Sequence, residues 1–113
     1  MPYIDANVSV KLDDEKIEKI KSDFGKAITL IPGKSESYLM VKISDGCNLF
    51  FKGDSSPAAM CSVSIFGSAD DQSCEALTKE ICDILEREAD IPSSRTYVKF
   101  RFVDTWGYNG FLF

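Results

Sequence analysis

The chain has 113 residues, 44% of them hydrophobic, and a formal net charge of −5, so we expect residues 1–113 to form a single acidic globular domain. The acidic balance argues against nucleic acid as a partner, and no apolar run reaches the roughly 20 residues that a membrane-spanning helix needs. Because the chain contains no histidine, catalytic triads and histidine metal sites are excluded, and acid–base chemistry near neutral pH falls to carboxylates, lysines, tyrosines or the terminal amine.

The first part of the chain predicts a strand, a helix and a second strand. Residues 2–10 alternate between apolar and polar side chains, which is typical of a half-buried strand. Asp13 and Asp14 are N-cap candidates for a helix whose apolar positions recur at helical spacing, and Pro32-Gly33 ends that helix. The alternating segment 38–44 predicts the second strand.

The second part of the chain repeats this order. Residues 59–66 alternate, residues 70–89 carry apolar positions at helical spacing, and residues 96–103 alternate again, with Val98, Phe100 and Phe102 inward. The chain is therefore a duplicated β-α-β arrangement, with each helix crossing over between parallel strands. We expect an α+β fold in which a four-stranded mixed sheet carries two helices on one face.

Two aromatic segments lie outside this pattern. Leu49–Phe51 predicts a short strand, and the tail Trp106–Phe113 is apolar and aromatic. On a monomer both would be exposed and prone to associate, so we expect them to contact neighbouring subunits. The polar face of the sheet is then either solvated or lines a wet channel inside an oligomer; it comprises Asp5, Asn7, Ser9, Lys42, Ser62, Ser64, Lys99 and Arg101.

The four cysteines, at positions 47, 61, 74 and 82, form neither a CxxC pair nor a zinc-like spacing. We expect packing cysteines in a reducing compartment, with no metal and no cofactor. The N-terminus lacks a basic segment followed by an apolar stretch, so the sequence predicts a cytoplasmic location.

Proline directly after the initiator methionine is a candidate catalytic group. Processing enzymes generally remove methionine before proline, and Pro2 would then carry a free secondary amine. An ordinary α-amine has a pKa of about 7.7–8.0, which burial or a nearby cation lowers toward that of a good base at neutral pH. Taken alone, Pro2 is better explained as a common second residue that permits methionine removal, so a catalytic interpretation depends on the rest of the chain.

Five short segments spread over nearly the whole chain supply that context: Pro2–Asn7, Gly33–Tyr38, Phe51–Pro57, Arg95–Phe100 and Trp106–Phe113. In this order, after an initial Met-Pro, they resemble the macrophage migration inhibitory factor family, which includes D-dopachrome tautomerase. The resemblance implies a homotrimer of the duplicated fold, with active sites between subunits that need no cofactor or metal.

The resemblance also implies roles for individual residues. Pro2 would be the general base and acid, and Lys34 would bind the acidic or enolic oxygen of the substrate and depress the pKa of Pro2. Backbone at Phe66 would seat the substrate, and Tyr97 of the adjacent subunit would donate a hydrogen bond to it. The aromatic rim of the pocket would consist of Tyr38, Trp106, Tyr108 and Phe113.

Three departures from the family pattern bear on specificity. Lys99 stands where the family often has asparagine, and this cation would either favour more acidic substrates or pair with a carboxylate. Phe66 stands where isoleucine is usual and would narrow the pocket. The segment Ala58–Cys61 lacks the first cysteine of the family's Cys-x-x-Cys, which argues against thiol–disulfide activity.

These residues favour an isomerase, a keto–enol tautomerase that acts on a small keto or enol acid of the phenylpyruvate or dopachrome type. The alternative is a cytokine-like protein that binds a host receptor, keeps a vestigial or secondary pocket, and leaves the cell without a signal peptide. A third reading, a decarboxylase or dehalogenase of the wider superfamily, generally requires arginines near the proline, and none lies near the N-terminus.

Overall fold

The computed structural model describes the whole chain, Met1–Phe113, and consists of the two expected β-α-β units followed by a small hairpin. Neither helix has an apolar stretch of the length that crosses a lipid bilayer. The elements in chain order are β1 (Pro2–Val8), α1 (Asp14–Ala27), β2 (Met40–Ser44), β3 (Ala59–Phe66), α2 (Asp71–Ala89), β4 (Thr96–Val103), β5 (Gly107–Tyr108) and β6 (Phe111–Leu112).

The main sheet has four strands in the order β2-β1-β3-β4. Strands β1 and β2 are parallel, β1 and β3 are antiparallel, and β3 and β4 are parallel, so the sheet is mixed, as predicted. Alternate residues of β1 and β3 are fully buried and form the core with apolar side chains of both helices, among them Ile4, Val63, Phe24 and Leu77. This core holds β1, which begins at the candidate site, and β3, which ends there.

Both helices begin directly after an aspartate that caps them. The Asp13 carboxylate accepts a hydrogen bond from the backbone N–H of Lys16 at 2.8 Å, and the Asp70 carboxylate accepts one from Ser73 at 2.7 Å. Asp70 is therefore the N-cap of α2 rather than its first residue. Helix α1 continues as a 3₁₀ turn over Ile28–Leu30 before the predicted stop.

Several predicted strand ends are wrong. Strand β1 stops at Val8 because the next residue, Ser9, turns its hydroxyl to accept the N–H of Ala58 at 2.9 Å. Strand β2 starts at Met40 because Glu36–Tyr38 forms a 3₁₀ turn.

Two further expectations about apolar segments are wrong within this chain. Leu49–Phe51 is not a strand: only Phe51 pairs, as an isolated bridge to Asp54, because no neighbouring strand offers a ladder. Phe102 pairs with the buried Ile65 and so shares the core face, but it is 47% exposed rather than buried, since β4 is an edge strand.

The two helices are joined by an ion-pair cluster around Asp23, which is only 8% exposed. Its carboxylate lies 2.7 Å from the ammonium of Lys19 and 3.0 Å from the guanidinium of Arg87. Burial raises the pKa of Asp23, but the hydrogen bonds and charges of Lys19 and Arg87 outweigh burial and lower that pKa. The cluster therefore favours the ionised carboxylate at neutral pH.

Candidate active site

A groove of about 460 Å³ opens at the start of β1, where the buried Pro2 begins the strand. Pro2 pairs with Ile65 of β3, so it lies beside the end of that strand, at Phe66. Most of the groove lining is apolar, and it consists of Met1, Pro2, Tyr3, Ser37, Tyr38, Leu39, Met40, Trp106, Gly107 and Tyr108.

Lys34 lies in the turn that follows α1 and contacts the end of β3 beside Pro2. Gly33 has a φ of +78°, a left-handed conformation that favours glycine and turns the chain back toward the sheet. The Lys34 ammonium donates to the carbonyl oxygen of Phe66 at 3.2 Å. The start of the chain, Lys34 and the end of β3 are thereby held together.

The chain terminus itself is bonded to Phe66. The backbone N–H of Phe66 donates to the carbonyl oxygen of Met1 at 3.0 Å. Burial, and then the charge and hydrogen bond of Lys34, lower the pKa of the terminal amine that Met1 carries. An amine in this position is a stronger candidate for a base at neutral pH than an exposed chain terminus.

Aromatic rings form a continuous wall beside the groove. The ring of Phe66 lies 6.5 Å from that of Trp106 and 5.8 Å from that of Phe113, centre to centre. Tyr108 stacks on Phe113 at 5.9 Å and meets Tyr38 edge-on at 5.8 Å. Four predicted rim residues and Phe66 therefore lie in one cluster.

The C-terminal hairpin brings the last of these rings into place. Its turn is Asn109-Gly110, with φ values of 52° and 84°, as a tight two-residue hairpin turn requires. Phe113 then donates its N–H to the carbonyl oxygen of Trp106 at 3.0 Å. The tail is thus folded back toward the groove rather than extended away from it.

Tyr97 and Lys99 are not in this groove within one chain. Tyr97 pairs with Met60 whereas Pro2 pairs with Ile65, so about five residues of strand, or about 16 Å, separate them along the sheet. Both side chains are exposed on the face opposite the core, Tyr97 to 60%. Either residue could meet a Pro2 only if that proline belonged to another subunit.

Comparison with known proteins decides the family. A sequence profile described as macrophage migration inhibitory factor matches residues 1–113. The chain belongs to the macrophage migration inhibitory factor family. The factor of Xenopus tropicalis is 28% identical over 102 residues, which cover 88% of this chain and 89% of that protein. The crystal structure of Leishmania major MIF2 is 31% identical and has a TM-score of 0.93, covering 100% of this chain and 97% of that one. The factor of Toxoplasma gondii, 23% identical with a TM-score of 0.92 over 98% and 99% of the two chains, shares the fold.

Membership of the macrophage migration inhibitory factor family confirms the resemblance carried by the five sequence segments. The close superposition also confirms the α+β arrangement of four strands and two helices. The site residues remain predictions for this chain. Pro2, Lys34 and Phe66 lie together beside the aromatic wall, whereas Tyr97 and Lys99 lie apart from it.

Six groove residues were not named as site residues from the sequence: Met1, Tyr3, Ser37, Leu39, Met40 and Gly107. Tyr3 and Met40 are register partners in the parallel pair β1–β2, and Met40 is 69% exposed. Tyr3 directly follows Pro2 and Leu39 directly follows Tyr38, but the 3₁₀ turn at Glu36–Tyr38 displaces the start of β2 from its predicted position, so the sequence did not predict the register that pairs Tyr3 with Met40.

The other reactive groups lie away from the groove. All four cysteines are free, and burial raises the pKa of Cys61 to about 12, so its thiol stays protonated at neutral pH. No set of three or more histidine, cysteine, aspartate or glutamate side chains is arranged to hold a metal ion. None of the arginines lines the groove.

Proposed function

We propose that this protein is a cofactor-independent keto–enol tautomerase, an isomerase, in which the nitrogen of Pro2 acts as general base and acid after Met1 is removed. The proposal is carried by the contacts at the chain start, where Lys34 lies beside the terminal amine and the N–H of Phe66 points at the preceding carbonyl. The proposal depends on processing, because with Met1 present the nitrogen of Pro2 is an amide without a basic lone pair.

Removal of Met1 has two chemical consequences. The new terminal amine belongs to Pro2, which is buried and directly follows the residue whose amine Lys34 contacts, so burial and the Lys34 cation would again favour the unprotonated form. The N–H of Phe66 loses the Met1 carbonyl that it bonds at 3.0 Å and becomes a free donor at the groove. A base and two donors, the ammonium of Lys34 and this N–H, then converge on one small volume.

The reaction follows from that arrangement. The lone pair of Pro2 takes a proton from the carbon next to a carbonyl, and the electrons of that C–H bond move onto the carbonyl oxygen. Lys34 and the N–H of Phe66 stabilise the negative charge of the enolate or of an adjoining carboxylate. The protonated Pro2 then returns the proton to oxygen or carbon, which leaves the tautomer. An apolar aromatic wall suits a substrate with a ring, such as a phenylpyruvate-like keto acid.

We also propose that the working form is a homotrimer that places Tyr97 and Lys99 of one subunit at the groove of the next. Large apolar side chains outside the core support assembly, since Phe50, Phe111 and Leu112 are 72%, 77% and 72% exposed. In such an assembly Tyr97 donates to the substrate oxygen, and Lys99 adds a second cation that favours acidic substrates.

The test combines intact mass with steady-state kinetics on phenylpyruvate. Mass should show a chain that begins at Pro2. Pro2→Gly still permits methionine removal but lacks the secondary amine, and an alanine inserted between Met1 and Pro2 keeps Pro2 as an amide. We expect both changes to lower kcat/KM by about 10²-fold or more, while Pro92→Ala, at an exposed proline, leaves it unchanged. Full activity in either Pro2 variant would overturn the proposal and leave receptor binding as the better account of the fold.

A further inference from the structure

Arg95 makes more hydrogen bonds than any other side chain in the structure. Its Nε donates to the carbonyl of Pro57 at 2.9 Å, Nη1 to Phe51 at 3.2 Å, and Nη2 to Asp54 and Ser56 at 3.2 and 2.9 Å. Nη2 also lies 3.0 Å from a carboxylate oxygen of Asp54, and the Arg95 side chain is only 14% exposed. One guanidinium thus binds four backbone carbonyls of the segment 51–57, which we call the Arg95 loop.

The Arg95 loop is a tight turn that these bonds keep in shape. Phe51 and Asp54 exchange two backbone hydrogen bonds, at 3.0 and 3.1 Å. Between them, Lys52 and Gly53 both have positive φ values, 53° and 78°. Lys52 pays a conformational cost there, because residues with a Cβ atom disfavour this region. The bonds from Arg95 add a further restraint to this turn.

The Arg95 loop also fixes an aromatic contact with Tyr97. The ring of Phe51 lies 5.2 Å from the guanidinium carbon of Arg95, close enough for a cation–π interaction. The Phe51 ring also contacts Tyr97, whose ring centre is 5.2 Å away at an interplanar angle of 79°. Tyr97 is otherwise 60% exposed, so within one chain Phe51 is the ring against which it rests.

From these contacts we infer that Arg95 is a positioning residue for Tyr97. By binding the Arg95 loop it holds Phe51 against the Tyr97 ring, and it thereby directs the Tyr97 hydroxyl toward the groove of the neighbouring subunit. The inference rests on the proposed function, in which that hydroxyl donates to the substrate. Arg95 itself does not touch the substrate.

The planar guanidinium is necessary for this role. Four carbonyls around one side chain require donors fixed in several directions of a plane, which arginine has and lysine lacks. A lysine at position 95 keeps the charge beside Asp54 but cannot bond the four carbonyls together. Arg95→Lys therefore separates bonding geometry from charge.

A double-mutant cycle with Tyr97→Phe tests whether Arg95 acts through Tyr97. We expect Arg95→Ala and Arg95→Lys each to lower kcat/KM by about tenfold or more, because a misplaced donor stabilises the transition state poorly. In the Tyr97→Phe background, which has no hydroxyl to direct, either change should cost less than about twofold. The acid limb of the pH–rate profile should not move, since Pro2 is untouched. Arg87→Ala, which removes an arginine that binds side chains of the helix cluster, is the matched control and should leave kcat/KM unchanged.

Two results would overturn the role of Arg95. One is an equal loss in the wild-type and Tyr97→Phe backgrounds, which would show that Arg95 acts elsewhere. The other is wild-type activity in Arg95→Lys, which would show that charge alone suffices. If Arg95→Ala fails to fold or assemble, Phe51→Leu removes the ring contact between Phe51 and Tyr97 while it keeps an apolar side chain. We expect this variant to give the same coupling with Tyr97→Phe.

NMR separates a failure of this inference from a failure of the proposed function. If the wild-type protein has no tautomerase activity, the proposed function fails, while the positioning of Tyr97 is still measurable. We expect Arg95→Lys to accelerate hydrogen exchange at the Phe51 and Asp54 amides and to shift the ring signals of Tyr97. Faster exchange in the Arg95 loop with unchanged Tyr97 signals would refute the inference that Arg95 positions Tyr97, whatever the activity.

Discussion

Lys34→Met tests how the groove tunes its base. The substitution removes the ammonium that donates to the Phe66 carbonyl at 3.2 Å and keeps a side chain of similar length. The proposed mechanism loses one charged hydrogen-bond donor to the enolate oxygen. Such a bond contributes about 1.5–3 kcal/mol, so kcat/KM should fall about 10- to 150-fold.

The same substitution should also move the pH dependence. Burial, and then the charge and hydrogen bond of Lys34, lower the pKa of the amine that Met1 carries, and we expect the same effects on the Pro2 amine that the proposed mechanism uses. Without Lys34 that pKa rises, a smaller fraction of the amine is unprotonated at a given pH, and the acid limb of the kcat/KM profile shifts to higher pH.

The assay is the kcat/KM profile for phenylpyruvate from pH 5 to 9, measured on protein whose mass shows that Met1 is absent. The matched control is Lys26→Met, which removes a lysine from the last turn of α1, outside the groove. We expect the control profile to overlay that of the wild type. A Lys34→Met profile with an unmoved acid limb would refute the claim that this cation tunes the base.

Three further changes test the scaffold that supports the groove. Gly110→Val forces a β-branched residue to a φ of 84°, so we expect the hairpin to lose about 1–2 kcal/mol of stability. The fluorescence of the single tryptophan should change and KM should rise, and identical fluorescence and KM would contradict this expectation. Asp23→Asn should lower the free energy of unfolding in urea at pH 7, and the difference between the wild type and the variant should shrink toward pH 3. The reason is that the lowered pKa of Asp23 gives stability that is lost as pH falls, so a pH-independent difference would count against the ion cluster. Phe24→Ala, at a fully buried ring, should cost about 3–5 kcal/mol in urea unfolding, whereas the control Leu30→Ala, at a 42% exposed side chain, should cost under about 1 kcal/mol; equal losses would contradict the assigned core.

Strict alternation and capping carried the parts of the fold that the sequence predicted well. Strands β3 and β4 have the predicted bounds, because successive side chains alternate without interruption between the core face and the other face. Asp13, one of two predicted N-cap candidates, caps α1 because its carboxylate satisfies a free backbone N–H, and Asp70, predicted as the first residue of α2, instead caps it in the same way. These signals are local, so a single sequence suffices to recognise them.

Features that depend on distant contacts were predicted less well. The segment Leu49–Phe51 has the composition of a strand, but a strand needs a partner, and Arg95 ties part of this segment into a turn instead. Phe102 alternates correctly and is nevertheless exposed, because the position of β4 at the sheet edge is set by topology rather than by pattern.

The site divides in the same way. Pro2 and Lys34 could be named from the sequence, but the bond between the Phe66 N–H and the Met1 carbonyl could not, since it joins the chain start to the end of β3. The proposed placement of Tyr97 at the groove of a second subunit depends on an arrangement of subunits that no pattern within one chain specifies.

The measurement that bears most directly on the catalytic claim is the pKa of the Pro2 nitrogen itself. Protein labelled with ¹⁵N-proline can be titrated by NMR beside the kcat/KM profile of the same sample. We predict a chain that begins at Pro2 and a Pro2 nitrogen whose pKa lies below that of an ordinary α-amine, which is about 7.7–8.0. The acid limb of the kcat/KM profile should have its midpoint at the same pH. A nitrogen that titrates at the ordinary value, or a profile whose midpoint does not follow it, would contradict the assignment of Pro2 as the base.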